Sequence, residues 1–192
     1  MPNAITMLKS DHATVKRLLR ELNETSAPKQ REQLVATIER EVKTHAQIEE
    51  EVFYPAFKAA AEKTDNINLF YEAAEEHHLV DIELPSLKTA NSKSHEFAAK
   101  AKVLKELIEH HIKEEENQMF TAARQLFSEE QLSELGELMQ TRKEMIQAMW
   151  ENPLTRPMKK MQSAVHKMLP TKVKTAKATA IAKAMESRGE AR

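Results

Sequence analysis

The sequence predicts an all-α protein: a four-helix, up-down antiparallel bundle with an additional C-terminal helix and a basic tail. Three observations carry that prediction. Gly and Pro are scarce, two and seven in 192 residues, and few stretches alternate with the period of a strand. Ala, Glu, Lys, Leu, Gln and Met, all strong helix formers, dominate. Along four long stretches, separated by short breaks, apolar residues recur at helical spacing.

The first helix is expected from about Ala4 to Asn23, with Ile5, Leu8, His12, Val15, Leu19 and Leu22 on one face. Ser26-Ala27-Pro28 then stops one helix and starts another, since Pro suits a first turn. The second helix, about Lys29 to Glu62, lines up Leu34, Ile38, Val42, His45, Glu49, Val52 and Ala56, and Pro55 should kink or end it locally. After Thr64-Asp65-Asn66 the third, about Ile67 to Ala90, carries Phe70, Ala73, Ala74, His77, Val80, Leu84 and Leu87, with Pro85 inside it. The fourth, about Ser92 to Leu126, carries Val103, Leu104, Leu107, Ile108, His111, Glu115 and Met119. Ser128-Glu129-Glu130-Gln131 reads as a capping box opening a fifth helix that reaches Trp150. The expected organisation is therefore a bundle over 1–126, an added helix over 127–151, and a basic Ala/Lys-rich tail over 152–192.

Composition removes several classes of function. There is no cysteine, which excludes disulfides, thiolate catalysis and cysteine-ligated zinc or iron–sulfur sites. The N-terminus lacks the basic and apolar regions of a secretory signal. No apolar run approaches the roughly 18–20 residues that span a bilayer, so a cytoplasmic location is expected. HExxH, GxSxG and Gly-rich phosphate loops are missing too. The net charge of −1 conceals a balance of +8 after residue 155 and −9 before it: an acidic body with a basic tail.

Chemistry concentrates in a repeated pair. His45 and Glu49 are four residues apart, hence on one helix face, and His111 and Glu115 repeat that spacing. An aromatic follows each His by nine residues, Tyr54 and Phe120. A single HxxxE is usually an exposed contact, and a lone His on an apolar face is usually a hydrogen-bonded core residue. Counting about 1.5 Å of rise per residue from the turns, however, puts His12, His45, His77 and His111 at nearly one depth of an antiparallel bundle. Two Glu join them on faces otherwise made of Leu, Val, Ile and Ala. Buried carboxylates need a positive partner, and bundle cores house metal sites built from facing helices. Nitrogen and carboxylate ligands without sulfur suit iron, manganese or zinc. Six side chains exceed the need of one tetrahedral zinc, so two metals, each with two His and bridged by the two Glu, fit better.

With these pieces in place the sequence resembles the hemerythrin-like family, in its HHE cation-binding branch. The matching segments are SDHATVKRLLREL, THAQIEEEVFYPAF, EEHHLVDIELPSL and EHHIKEEENQMF, in order over about residues 1–125. The resemblance implies that His12, His45, Glu49, His77, His111 and Glu115 hold two iron ions, bridged by the carboxylates and an oxo or hydroxo group. It implies oxygen, peroxide or nitric oxide as ligands. His78 competes with His77, since it keeps the 33-residue gap to His111 that separates His12 from His45. His77 is preferred because Val80 and Leu84 follow it as Val15 and Leu19 follow His12, and Glu76 precedes it as Asp11 precedes His12. His110 and Glu114 form another HxxxE, which the aromatic register disfavours.

Departures from the family pattern matter. Oxygen-carrying hemerythrins place a His four residues after the third-helix His, where this chain has Asp81, and end in HxxxxD rather than HxxxE; reversible oxygen carriage is not expected. The iron-centre repair branch adds an N-terminal cysteine-containing domain, whereas eleven residues precede His12 here. Ferritin-like di-iron bundles need two ExxH motifs, and only Glu75-Glu76-His77-His78 supplies one. Di-iron binding, used to bind or process oxygen, peroxide or nitric oxide, is the leading reading, with peroxide or oxygen reduction at the metal a hypothesis within it. The alternative is an iron- or oxygen-responsive sensor whose bundle is stabilised by metal occupancy. The tail, with Met158, Met161, Val165, Met168 and Leu169 at helical spacing before Pro170, is expected to be partly disordered or an amphipathic helix for an anionic partner or surface. It carries no base-reading element, so no specific nucleic-acid partner is expected.

Overall fold

The structure, a computed structural model, describes residues 3–151; the basic tail expected over 152–192 lies outside the described residues. Every element among them is helical: α1 (Ala4–Glu24), α2 (Pro28–Ile48), α3 (Tyr54–Ala61), α4 (Ile67–Thr89), α5 (His95–Glu114), α6 (Phe120–Leu126) and α7 (Glu129–Glu151). Two π-helical turns, Glu49–Phe53 and Glu115–Met119, join α2 to α3 and α5 to α6 without a break in the chain's helical course. Helices α1, α2, α4 and α5 form a ring in which each packs against the next and α5 closes on α1.

Local chemistry sets the ends. The Asn3 side chain accepts the Thr6 N–H and starts α1, and Ser94 does the same for Phe97 and α5. Pro28 opens α2 in the first turn. The capping box at α7 is reciprocal, with the Gln131 N–H donating to the Ser128 hydroxyl and the Ser128 N–H to the Gln131 amide oxygen. Pro85 does not end α4; it sits on the exposed side, as does Asp81, whose carbonyl it leaves without an amide donor.

Neither the second nor the fourth predicted helix is a uniform α-helix. In each π turn the closing amide reaches back five residues, Tyr54 N–H to the Glu49 carbonyl and Phe120 N–H to that of Glu115. The wider turn advances the buried face by about one residue. Extrapolating the 3.6-residue period put Val52 and Ala56 in the core, but both are only partly buried, and Phe53, Tyr54 and Phe57 take their place. Pro55 falls at the start of α3, immediately after the π turn, and does not end the helical course. The second π turn has no proline, so proline is not what both share; the carboxylate that opens each is. Two further expectations fail: Val103 is 49% exposed, and Ala74 is exposed. The core face of α5 instead follows Phe97, Ala101, Leu104 and Ile108, and α4 turns Ala73 inward.

The interior has two apolar clusters. One gathers Leu8, Ile48, Phe53, Phe57, Met119 and Phe120, and is covered by Leu132, Met139 and Ile146 of α7. The other gathers Val15, Leu19, Ile38, Leu84, Leu104 and Ile108 toward the opposite end. Along α1, α2 and α4 a chemically distinct residue falls between them, because Leu8 and Val15 bracket His12, Ile38 and Ile48 bracket His45, and Ala73 and Val80 bracket His77; on α5 and the π turn after it, His111 and Glu115 follow Ile108 and precede Met119. A polar layer thus lies across the middle of an otherwise apolar bundle.

Candidate metal centre

That layer brings together all six side chains expected from the sequence. His12, His45, Glu49, His77, His111 and Glu115 are each at most 8% exposed. His12 and His45 face each other across α1 and α2 with Nε2 atoms 3.1 Å apart, and their rings meet edge to face at 4.8 Å. His77 and His111 repeat the arrangement across α4 and α5 at 4.9 Å. Glu49 spans the two pairs, with Oε1 3.1 Å from His45 Nε2 and Oε2 3.4 Å from His77 Nε2. Glu115 does likewise, its Oε2 being 3.2 Å from His12 Nε2 and 3.5 Å from His111 Nε2. His78 points to solvent and His110 is 60% exposed, so the neighbouring candidates stay outside.

A second layer of carboxylates stands behind the imidazoles. His12 Nδ1 donates to Glu116 at 3.0 Å, His77 Nδ1 to Glu50 at 2.9 Å, and His111 Nδ1 to Glu76 at 2.8 Å. Asp11 faces His45 Nδ1 at 3.6 Å. A carboxylate only accepts, so Nδ1 carries the proton and, in the neutral ring, Nε2 turns a bare lone pair inward. Sequence reasoning did not assign these four acids a role, although each adjoins a first-layer residue. Asp11 and Glu76 precede His12 and His77; Glu50 and Glu116 follow Glu49 and Glu115. The halves of the chain are therefore related residue by residue: the acid before the lone His holds the HxxxE His of its own half, and the acid after the Glu holds the lone His of the other.

The aromatics in register close the centre on the α7 side. Tyr54 donates its hydroxyl to Glu115 Oε1 at 2.9 Å and lies 3.2 Å from His77 Nε2. Phe120 stacks on His12 at 5.7 Å. The opposite side opens into a cavity of about 40 Å³ walled by Val15, Val42, Val80, Leu84, Ile108 and Ile112, with Lys43, Glu50 and Asp81 also lining it. A water needs roughly 10–15 Å³ of such space, so a diatomic molecule or a peroxide fits.

Electrostatically the layer is a mesh of opposed charges. Burial by itself pushes the His45 imidazolium down, but Glu49, Asp11 and Glu115 outweigh it and raise its pKa to about 10. His77 is likewise disfavoured by burial and then raised to about 9 by Glu49 and Glu50. Burial raises the Glu49 carboxyl, yet His45 and His77 hold it well below the usual carboxylate range. The Tyr54 hydroxyl is pushed well above its ordinary value by burial and by Glu115 and Glu49, so it stays a donor.

The donor set fits metal ions. Both Glu49 oxygens, Glu115 Oε2 and His111 Nε2 are buried without a hydrogen-bond partner, an arrangement that is costly unless something cationic sits among them. Ligand atoms around an ion with bonds of about 2.1 Å are roughly 3.0–3.4 Å apart in octahedral or tetrahedral geometry, and the His12–His45 pair and the four histidine–carboxylate contacts here measure 3.1–3.5 Å. Two overlapping groups of donors result, His12 with His45, Glu49 and Glu115, and His77 with His111 and Glu49.

The sequence profile of the hemerythrin HHE cation binding domain matches residues 3–123. The chain belongs to that family. Its fold is similar to the crystal structure of a hemerythrin HHE cation binding domain-containing protein from Mycobacterium kansasii, with a TM-score of 0.70 and 28% identity, covering 81% of this chain and 94% of that one. A DNA nickase from Nostoc sp. is 27% identical over 129 residues, 67% of this chain. The chain spans 36% of that relative's length. Helix α7 lies beyond the residues the family profile matches. Among the described residues no helix is long and apolar enough to cross a membrane.

Proposed function

We propose that this hemerythrin HHE protein binds two iron ions, one between His12 and His45 and one between His77 and His111, with Glu49 and Glu115 shared, and uses them to bind or process oxygen, peroxide or nitric oxide. The observation that carries this reading is the convergence of four inward Nε2 atoms and two spanning carboxylates in one buried layer. Nitrogen and oxygen donors without sulfur suit iron, and a redox-active pair of ions supplies electrons to a bound small molecule.

The chain's own residues shape that chemistry. Glu116, Glu50 and Glu76 fix the tautomers of His12, His77 and His111 and make those rings stronger donors. The valine, leucine and isoleucine walls keep the cavity small and mostly apolar, with room for a diatomic or peroxide. Tyr54 orients Glu115 and holds a proton within 3.2 Å of His77 Nε2.

Anaerobic loading with Fe(II), metal analysis and a spectrum after exposure to air test the proposal. About two irons per chain with new near-ultraviolet charge-transfer absorption are expected, followed by peroxide consumption or nitric oxide binding that the metal-free chain lacks. One iron or none would refute the two-ion site. An iron-loaded chain inert to all three small molecules would refute the activity.

A further inference from the structure

The two halves of the centre match in their ligands but not in what stands behind them. Lys143, from α7, reaches Asp11 Oδ1, and Lys16 reaches Glu116 at 3.2 Å. Both acids that back the His12–His45 half are therefore paired with an ammonium. Glu50 and Glu76, which back the other half, have no Lys or Arg on them among the described residues; only the exposed His110 lies 3.6 Å from Glu76. One of the two paired acids also differs in geometry. Glu116, though it meets Lys16, holds its imidazole at 3.0 Å, as Glu50 and Glu76 hold theirs at 2.9 and 2.8 Å, whereas Asp11, which meets Lys143, stands 3.6 Å from His45, beyond hydrogen-bond length. Lys143 and Asp11 are 16% and 13% exposed, so solvent screens the pair only in part.

We propose that Lys143, with Lys16, makes the two halves unequal, so that the His77–His111 half binds a divalent transition-metal ion more tightly than the His12–His45 half. The inference rests on the two-ion reading above. A carboxylate behind an imidazole strengthens it as a ligand and adds a negative charge near the ion; an ammonium counter-charge on that carboxylate weakens both effects. The ring-backing acids and their lysines sum to zero behind His12 and His45 and to −2 behind His77 and His111. Lys143 is thus a positioning residue acting through Asp11, placed there by a helix that the family profile does not include.

The test is an anaerobic titration of the metal-free full chain with Co(II), read by calorimetry and by the visible bands of each ion as it enters. Two steps are expected, the tighter lost in His77→Ala and the weaker in His45→Ala. Lys143→Met, close to lysine in volume, should strengthen the weaker step by on the order of tenfold and leave the tighter one within about twofold. Lys16→Met, at a more exposed position, should act in the same direction, and Lys143→Arg should behave as the native chain. Cation–cation repulsion and the Tyr54–Phe120 difference also separate the steps, but both are unchanged by a Lys143 substitution. If Lys143→Met and Lys16→Met leave the split unmoved, or shift both steps alike, the inference is wrong while the two-ion site stands. Fewer than two ions at saturation would overturn the site and the inference together.

Discussion

Metal-free protein should lose stability as pH rises through the alkaline range, and metal loading near neutrality should release protons. Without metal, His45 and His77 carry folded-state pKa values of about 10 and about 9 against 6.5 when unfolded. A raised pKa means that the folded chain holds protons the unfolded chain has already given up. Their contribution is complete below pH ~6.5 and disappears as pH climbs through 9 to 10. At about 1.36 kcal/mol per pH unit the two histidines are worth roughly 3–5 kcal/mol each, and less than the sum together, because both lean on Glu49. The Glu49 carboxyl, held low, works in the opposite direction: its contribution is present above its unfolded value of 4.5 and is lost as pH falls. Metal-free stability should therefore peak between about pH 5 and 7. Between pH 6.5 and 10, thermal unfolding followed by circular dichroism should show Tm falling by roughly 6–12 °C for each 3 kcal/mol lost. A bound ion needs neutral imidazoles, so loading at pH 7 should release about two protons per chain, measurable by calorimetry in buffers of different ionisation heat. Tm flat or rising between pH 7 and 10, or metal binding without proton release, would refute this account of the layer.

Substitutions at neighbouring positions separate the centre from its surroundings. Glu49→Gln keeps the shape but removes the charge that spans the two histidine pairs, and metal analysis should show a loss of at least one of two ions while His78→Ala retains both. Tyr54→Phe removes the donor to Glu115 Oε1 and leaves that buried oxygen without it. The metal-free chain should lose about 1–3 kcal/mol in denaturant titration, with the spectrum of the iron-loaded chain shifted; an unchanged spectrum would place Tyr54 outside the centre's influence.

Most of the fold was legible because each ring helix buries one face, and burial of one face is what a 3.6-residue period records. Ile5, Leu8, Val15, Leu19 and Leu22 are all buried where the period put them. The reading failed where backbone geometry departs from that period without a sequence mark. Pro55 hinted at a kink or end at its own position, but Phe53 and Tyr54 could replace Val52 only through the π turn that begins at Glu49, and the second π turn carries no proline at all. Val103 misled for another reason: a β-branched residue beside a core position reads as core, although Leu104 already fills that place.

The site was legible at the level of its inner layer and silent about what stands behind it, and the difference is physical. A histidine or glutamate on an apolar face conflicts with its neighbours, so the pattern exposes it. Asp11, Glu50, Glu76 and Glu116 sit at the edge of their faces, from 13% exposed at Asp11 to 55% at Glu50, where an acid is an ordinary choice and nothing local marks it. What marks them is symmetry, since each occupies the same place relative to a first-layer residue in its half of the chain. The lysines break that symmetry. Lys16 lies four residues after His12, while the corresponding position after His77 is Asp81, and Lys143 comes from a helix with no counterpart in the other half. On the two-ion reading, a repeat that supplies equal ligands to both ions does not supply equal surroundings, and α7 is the element through which a residue beyond the repeated part of the chain, Lys143, reaches Asp11 behind His45.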